Sequence, residues 1–477
     1  MAGRVADAEP VRAEAGPRGR WWGTGAAALV LATLGTAAAV WRLGSWRATT
    51  WDLGLYTQYL WLLSHGDGLA RSTLDGIPAA ADAGAWVLYP LAWLYRGAGP
   101  AGILAAQALA LASGVVGLRW WADRLRLPPA VFWGVAVLWA AYPAVLGPLL
   151  FDWHPDVVAV PLLFWAMAAV ATDRPGHFWT AAGLLLLTKI TMSLVVVGLA
   201  VPWWLRRRFG LGLACVGVGL GAGLVELNGV LPGLLHHAYP LWPPLYGWLG
   251  PTPGAAVLRI VAEPGWVWAH MRQGAVIRAL VLLLVPVGIV PAVTGLWRGG
   301  WTWPAWLVVA FNSLSHFGPQ LNPYTQYWVA VAPGFFVAAL DLAARMRLDR
   351  ARTVLPWLLA GWATLMWWRL ERPLVWYTAP PAAALTAAAH RIPPAAPLVG
   401  QNATLAPLAG RPRIALLPLP PDDQVRSGTY VLLTTDVNPV NRITPPALVE
   451  RTIRRLAASP AWYVVYHAGS VWLFVRR

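Results

Sequence analysis

Charged side chains make up only 12% of this 477-residue chain, and several of them, together with a histidine, stand where their types and spacing suit chemistry. Asp52 lies in Thr50-Trp51-Asp52-Leu53-Gly54-Leu55-Tyr56-Thr57-Gln58, opening an amphipathic segment. A carboxylate there can take the proton from an attacking hydroxyl as a general base, or serve as a helix cap or first-turn acid. In Phe151-Asp152-Trp153-His154-Pro155-Asp156, two carboxylates and an imidazole fall within five residues. Such a set can bind a cation, hold a sugar or orient a base, and Asp156 can equally cap a helix starting at Val157. Lys189 is the only lysine among 36 basic residues. Its compact ammonium suits a phosphate or carboxylate partner, or a snorkelling anchor. Tyr324, Gln326 and Tyr327, with Arg259, Arg272 and Arg278, can meet a polar headgroup or anchor an interface.

Other chemistries find no footing. There is no Gly-rich phosphate loop or nucleotide-cofactor motif, no zinc-type ligand spacing and no internal repeat. His236 and His237 are adjacent and cannot face one site from a regular helix. The single cysteine, Cys215, forbids an intramolecular disulfide. Asn402-Ala403-Thr404 fits a glycosylation sequon, read here as a chance match.

The elements that must position these groups follow from composition. With 58% hydrophobic residues and a mean hydropathy of +0.53, most of the chain must face lipid. Apolar runs near the roughly 20 residues needed to span a bilayer recur up to about residue 370. The net charge of +16 reflects arginines at the ends of those runs, so membrane topology explains it and nucleic acid is not implied. The expected architecture is a mainly α, polytopic bundle of about eleven crossings over residues 22–379. A cytoplasmic tail, 1–21, precedes it; a linker, 380–397, and a small extracytoplasmic α/β domain, 398–477, follow. Arg4, Arg12, Arg18 and Arg20 place the N-terminus inside, and Arg206-Arg207-Arg208 and the arginines from Arg345 to Arg352 mark further cytoplasmic ends. Arg42 and Arg47 fall on the wrong side of that rule. On this topology Asp52, the 152–156 turn and Lys189 share the outer face, and Asp52, Asp152 and His154 are expected to converge on one cavity, since each is costly to bury alone. In the C-terminal domain, strands are expected at 413–417, 430–435, 462–467 and 471–475, with a helix over 447–458.

Taken together, Trp51-Asp52-Leu53-Gly54-Leu55 with Gln58, the Asp152-Trp153-His154-Pro155-Asp156 turn, and Lys189 closing a short helix resemble a prokaryotic membrane family, domain of unknown function 2079. The resemblance covers nearly the whole chain. That family in turn looks like the GT-C superfamily of glycosyltransferases, which take sugars from polyprenyl-phosphate donors and keep the catalytic acid in the first extracytoplasmic loop, the place of Asp52. Ile190 and Thr191 follow Lys189 where the family usually has acidic residues. Ala81-Asp82-Ala83 stand where it usually has a histidine, and another histidine is replaced near Gln326.

The resemblance implies an inverting transfer on the outer face of a bacterial inner membrane, with a lipid-linked sugar as donor and membrane lipid around it. Asp52 would be the catalytic base. Gln58, Asp152, His154, Asp156, Lys189, Tyr324 and Gln326 would bind substrate, with no resident metal assigned and room left for a divalent cation. The competing readings are a non-catalytic glycolipid- or partner-binding membrane protein, and a transporter or lipid-handling protein. Donor sugar, acceptor and oligomeric state are not written in the sequence.

Overall fold

The computed structural model describes residues 17–237, 240, 242–346, 349–370, 380–436 and 443–477. The tail with Arg4 and Arg12, Arg347 and the end of the expected bundle at 371–379 lie outside the described residues. A long first helix, Pro17–Gly44, packs along Leu88–Arg124. Between them comes the loop region carrying Asp52, with a short π-helix, Thr50–Gly54, running into the helix Leu55–Ser64. Leu88–Arg124 is two helices in one. At Gly99 φ is +59°, a conformation glycine adopts without a Cβ penalty, and Pro100 begins the spanning part.

Among the described residues, three helices are long and apolar enough to cross a membrane: Trp21–Gly44, Leu88–Arg124 and Phe209–Leu235. Two bent pairs raise this to five, Pro129–Ala141 with Pro143–Leu149 at 57° and Pro264–Met271 with Gly274–Val287 at 69°. The expected count of about eleven crossings is therefore not confirmed. The reason lies in prolines and short breaks: apolar stretches such as 155–171 and 192–205 form helices below the length that spans hydrocarbon unaided.

The C-terminal part is a five-stranded sheet of order β2-β1-β3-β5-β4, with β1 Leu398–Gly400, β2 Ile414–Leu416, β3 Tyr430–Thr434, β4 Trp462–Ala468 and β5 Val471–Arg476. β1 runs parallel to β2 and β3, and β5 antiparallel to β3 and β4. The side-chain alternation of strands feeds two cores. Val431, Leu433 and Phe474 meet Val449, Ile453 and Leu456 of the helix Pro446–Ala458 on one face. Leu398, Leu432 and Leu473 meet Leu385 and Ala388 on the other. Those last two belong to a helix, Ala382–Ala389, so the stretch expected as a 380–397 linker is partly built into the domain. β1 was also missed, because three residues carry too little pattern to read.

Candidate active site at one end of the bundle

Asp52 is placed by a turn whose N-cap is Thr49. The Thr49 hydroxyl accepts from the Asp52 amide at 3.2 Å and lies 2.7 Å from Asp52 Oδ2. It also lies 2.8 Å from Asp152 Oδ2, which accepts the Thr49 amide at 2.7 Å. One hydroxyl proton faces two carboxylates. It is therefore shared between them, and Asp152 has that amide and Arg42 besides, whose Nη1 is 3.0 Å from Oδ1.

His154 completes the link across the chain, with Nε2 3.2 Å from Asp52 Oδ1 and Nδ1 3.1 Å from the Asp152 carbonyl. Both ring nitrogens face acceptors, which favours the doubly protonated imidazolium. Burial works to lower the His154 pKa, but the Asp52 hydrogen bond and charge, with Asp156 behind them, raise it above its ordinary value despite Lys189. For Asp52 burial pulls upward, and His154, Thr49 and Arg42 together hold it below the usual carboxylate range. The ring of His154 lies edge-on to Tyr56, which also meets Trp153. The backbone of the turn is fixed by Gln107, which accepts from the His154 amide and donates to the carbonyls of Pro148 and Asp152.

Lys189 donates to both oxygens of Asp156, at 3.1 and 2.9 Å, and its Nζ lies over the Tyr327 ring, 4.8 Å from the centroid. Asp82 joins the group from the loop before Leu88. It feels the charges of Lys189, His154 and Asp156 and the hydroxyl of Tyr56, and burial raises its pKa. Its Oδ2 is buried without a hydrogen bond among the described residues.

Asp52, Asp152, His154, Asp156 and Lys189 thus gather in one polar cluster. The other sequence candidates lie differently. Gln58 is turned away: it accepts from Ser72 Oγ and the Thr73 amide and donates to Thr73 Oγ1, at the seam with the C-terminal domain. Tyr324 is buried, its backbone against Gly147, where a Cβ would collide with the Tyr324 carbonyl. Gln326 is buried at the start of a single 3₁₀ turn, 326–328, which brings Tyr327 under Lys189. Among the described residues no three His, Cys, Asp or Glu side chains are grouped to hold a metal ion.

The model of a family described as predicted membrane proteins, DUF2079, matches residues 42–434, which include every member of the cluster. The chain belongs to the DUF2079 family. No curated protein matches it. Among solved structures, this DUF2079 chain is similar to ArnT from Cupriavidus metallidurans bound to undecaprenyl phosphate, with a TM-score of 0.58, 15% identity, and 96% of this chain and 98% of that one covered. The apo form of ArnT gives a TM-score of 0.57 at the same identity and coverage. The DUF2079 chain therefore has an ArnT-like fold.

Several members of the cluster were missed as site residues. Arg42 is the clearest, and its signal was present: it broke the positive-inside expectation because it is buried against Asp152 and is not a topology marker. Its Nη2 also donates to the Arg47 carbonyl, and Arg47 stacks over Trp41, so both misplaced arginines have structural employment. Gln107 was visible as a lone amide in an apolar helix. Thr49 and Tyr56 gave no signal at all.

Proposed function

We propose that this protein is a membrane glycosyltransferase that takes a sugar from a polyprenyl-phosphate-linked donor, with the Asp52 end of the bundle facing away from the cytoplasm. The observation that carries the reading is the Asp52 carboxylate: it is fixed by Thr49 and His154 and 31% exposed beside a His154 side chain that is only 5% exposed. Each carboxylate oxygen keeps a second lone pair, so an acceptor hydroxyl can reach Asp52 without breaking its supports. The ArnT-like fold and the undecaprenyl phosphate bound by ArnT support a lipid-linked donor.

In this mechanism the acceptor O–H gives its proton to Asp52 as its oxygen attacks the anomeric carbon. The bond from that carbon to the phosphate oxygen breaks, and the polyprenyl phosphate leaves with the electron pair, inverting the configuration. Lys189 is closed onto both oxygens of Asp156, so its charge is assigned to steady the donor phosphate through space and not by direct contact. His154, as a cation, offsets the negative charge gathering at the centre. The chemistry draws on positioning and charge neutralisation and needs no covalent sugar–enzyme bond.

The test is transfer by purified protein in nanodiscs from a panel of polyprenyl-phosphate sugars, with and without added divalent cation, while donor binding is followed separately. Transfer lost in Asp52→Asn with donor binding retained is the expected result. A wild-type protein that binds donors and never transfers would replace this reading with a non-catalytic glycolipid-binding one, which the closed Lys189–Asp156 pair also suits.

A further inference from the structure

We infer that Asn402 is a positioning residue for Asp52, capping from the C-terminal domain the short turn that carries the carboxylate. The inference rests on Asp52 being the base proposed above. A helix leaves its first amides without intrahelical partners, and a π-turn is a rare, poorly self-supporting form. In Thr50–Gly54 three of those amides are satisfied, and only one by the turn's own N-cap. The Asp52 amide goes to Thr49 Oγ1. The Thr50 amide goes to the Asn402 carbonyl at 2.9 Å, and the Trp51 amide to Asn402 Oδ1 at 2.8 Å. The Thr50 hydroxyl adds a bond to the same Asn402 carbonyl at 2.7 Å. Asn402 is 1% exposed, which also closes the Asn402-Ala403-Thr404 sequon to modification in the folded protein.

Asn402 is well placed to act on chemistry and not only on domain docking. The turn and the domain backbone are in close approach, since a Cβ on Gly54 would stand 3.5 Å from Ala406 Cα. Thr49, whose hydroxyl holds Asp52 Oδ2, is the residue directly before the two amides that Asn402 takes. Rotating that turn moves the carboxylate relative to His154. The domain keeps other anchors when Asn402 is changed: Thr73 Oγ1 donates to the Ile414 carbonyl at 2.6 Å and accepts its amide at 2.9 Å, and Trp46 Nε1 donates to Thr386 Oγ1 at 3.0 Å.

The experiment compares Asn402→Ala, Asn402→Asp, which keeps an acceptor oxygen and is itself a favoured cap, and Thr73→Val, which cuts a different anchor between the same two domains. Transfer kinetics, amide hydrogen exchange over residues 49–55 and thermal stability are measured on the full chain. Asn402→Ala is expected to lower kcat about tenfold, the effect of losing one cap, with donor KM unchanged and exchange at Trp51 about tenfold faster. Asn402→Asp should restore most of both, and Thr73→Val should leave kcat alone. Wild-type kcat and exchange in Asn402→Ala, an equal kcat loss in Thr73→Val, or no restoration in Asn402→Asp would each overturn the inference. Should Asn402→Ala fail to fold, Asn402→Gln, which displaces the oxygen by one methylene, takes its place under the same criteria. If the wild-type protein transfers nothing, the glycosyltransferase reading falls and exchange at Trp51 alone decides the cap.

Discussion

Two ion pairs face each other across the polar cluster, built from the same ingredients and finished differently. Asp52 meets His154 through one oxygen at 3.2 Å, with 31% of the acidic side chain exposed. Asp156 receives Lys189 on both oxygens, and the two side chains are 4% and 10% exposed. The first pair is open on one edge, the second is sealed. A carboxylate that must accept a proton from an incoming group needs the open form. A buried charge that must stay charged needs the sealed one, because an uncompensated ion in such a place is costly. They are also coupled, since Asp156 strengthens the protonated form of His154 and Lys189 weakens it.

The largest expected effect breaks the open pair. Asp52→Asn keeps shape and hydrogen bonding but cannot take the proton, so transfer should fall by about 10²–10⁴-fold with donor binding nearly intact, read as kcat against donor Kd. A variant that transfers at the wild-type rate would remove Asp52 from the base role. Next comes the sealed pair. Asp156→Asn leaves Lys189 buried without its anion and should cost about 3–5 kcal/mol of stability, measured by thermal denaturation in detergent. The double variant Asp156→Asn with Lys189→Met should recover most of that loss. Failure to recover would mean that the pair contributes through specific geometry and not through charge compensation alone.

A pH series sharpens the contrast at smaller amplitude. His154 has a raised pKa in the fold, so its contribution to stability is full below its ordinary value of 6.5 and is lost as pH climbs through the higher folded value. Asp52 is lowered, so its contribution is present above 3.8 and is lost only as pH falls through the still lower folded value. The open pair is therefore intact between those two limits. His154→Asn should abolish the alkaline loss of thermal stability, and an unchanged alkaline limb would assign that loss elsewhere. A separate slope belongs to Asp75, outside both pairs. Burial lifts its pKa to about 6, against hydrogen bonds from the Ile77 amide and Tyr59. The folded state holds that proton longer than the unfolded one, so stability should decline from about pH 4 to about pH 6 and level off above. Asp75→Asn should flatten that slope in the same melting series.

Much of this was legible in the sequence where chemistry was rare. In a chain this apolar, Asp52, Asp152, His154, Asp156 and Lys189 stood out because each is expensive near lipid, and cost forces such groups together. The helix at 446–458 and four of the five strands were legible for the opposite reason, a regular alternation of cheap residues. Span counts were not legible, because hydropathy does not say where Pro143 or Gly99 will break a run. Gln58 drew attention by company, standing six residues after Asp52 on an amphipathic segment, yet its amide serves the domain seam. Asn402 was unreadable as a partner of Trp51, since no local pattern connects residues 351 positions apart.

The solitary lysine gives the protein a built-in chemical reporter. Lys189 carries the only side-chain amine in the chain, and in the resting structure that amine is clasped by a carboxylate and covered by an aromatic ring. An acylating reagent offered to the whole molecule would therefore meet a single internal target, reactive only when the clasp loosens. The rate at which Lys189 itself gains the adduct, mapped apart from the α-amino group, would gauge how often the sealed half of the cluster opens, with no probe to engineer and no background of other lysines to subtract.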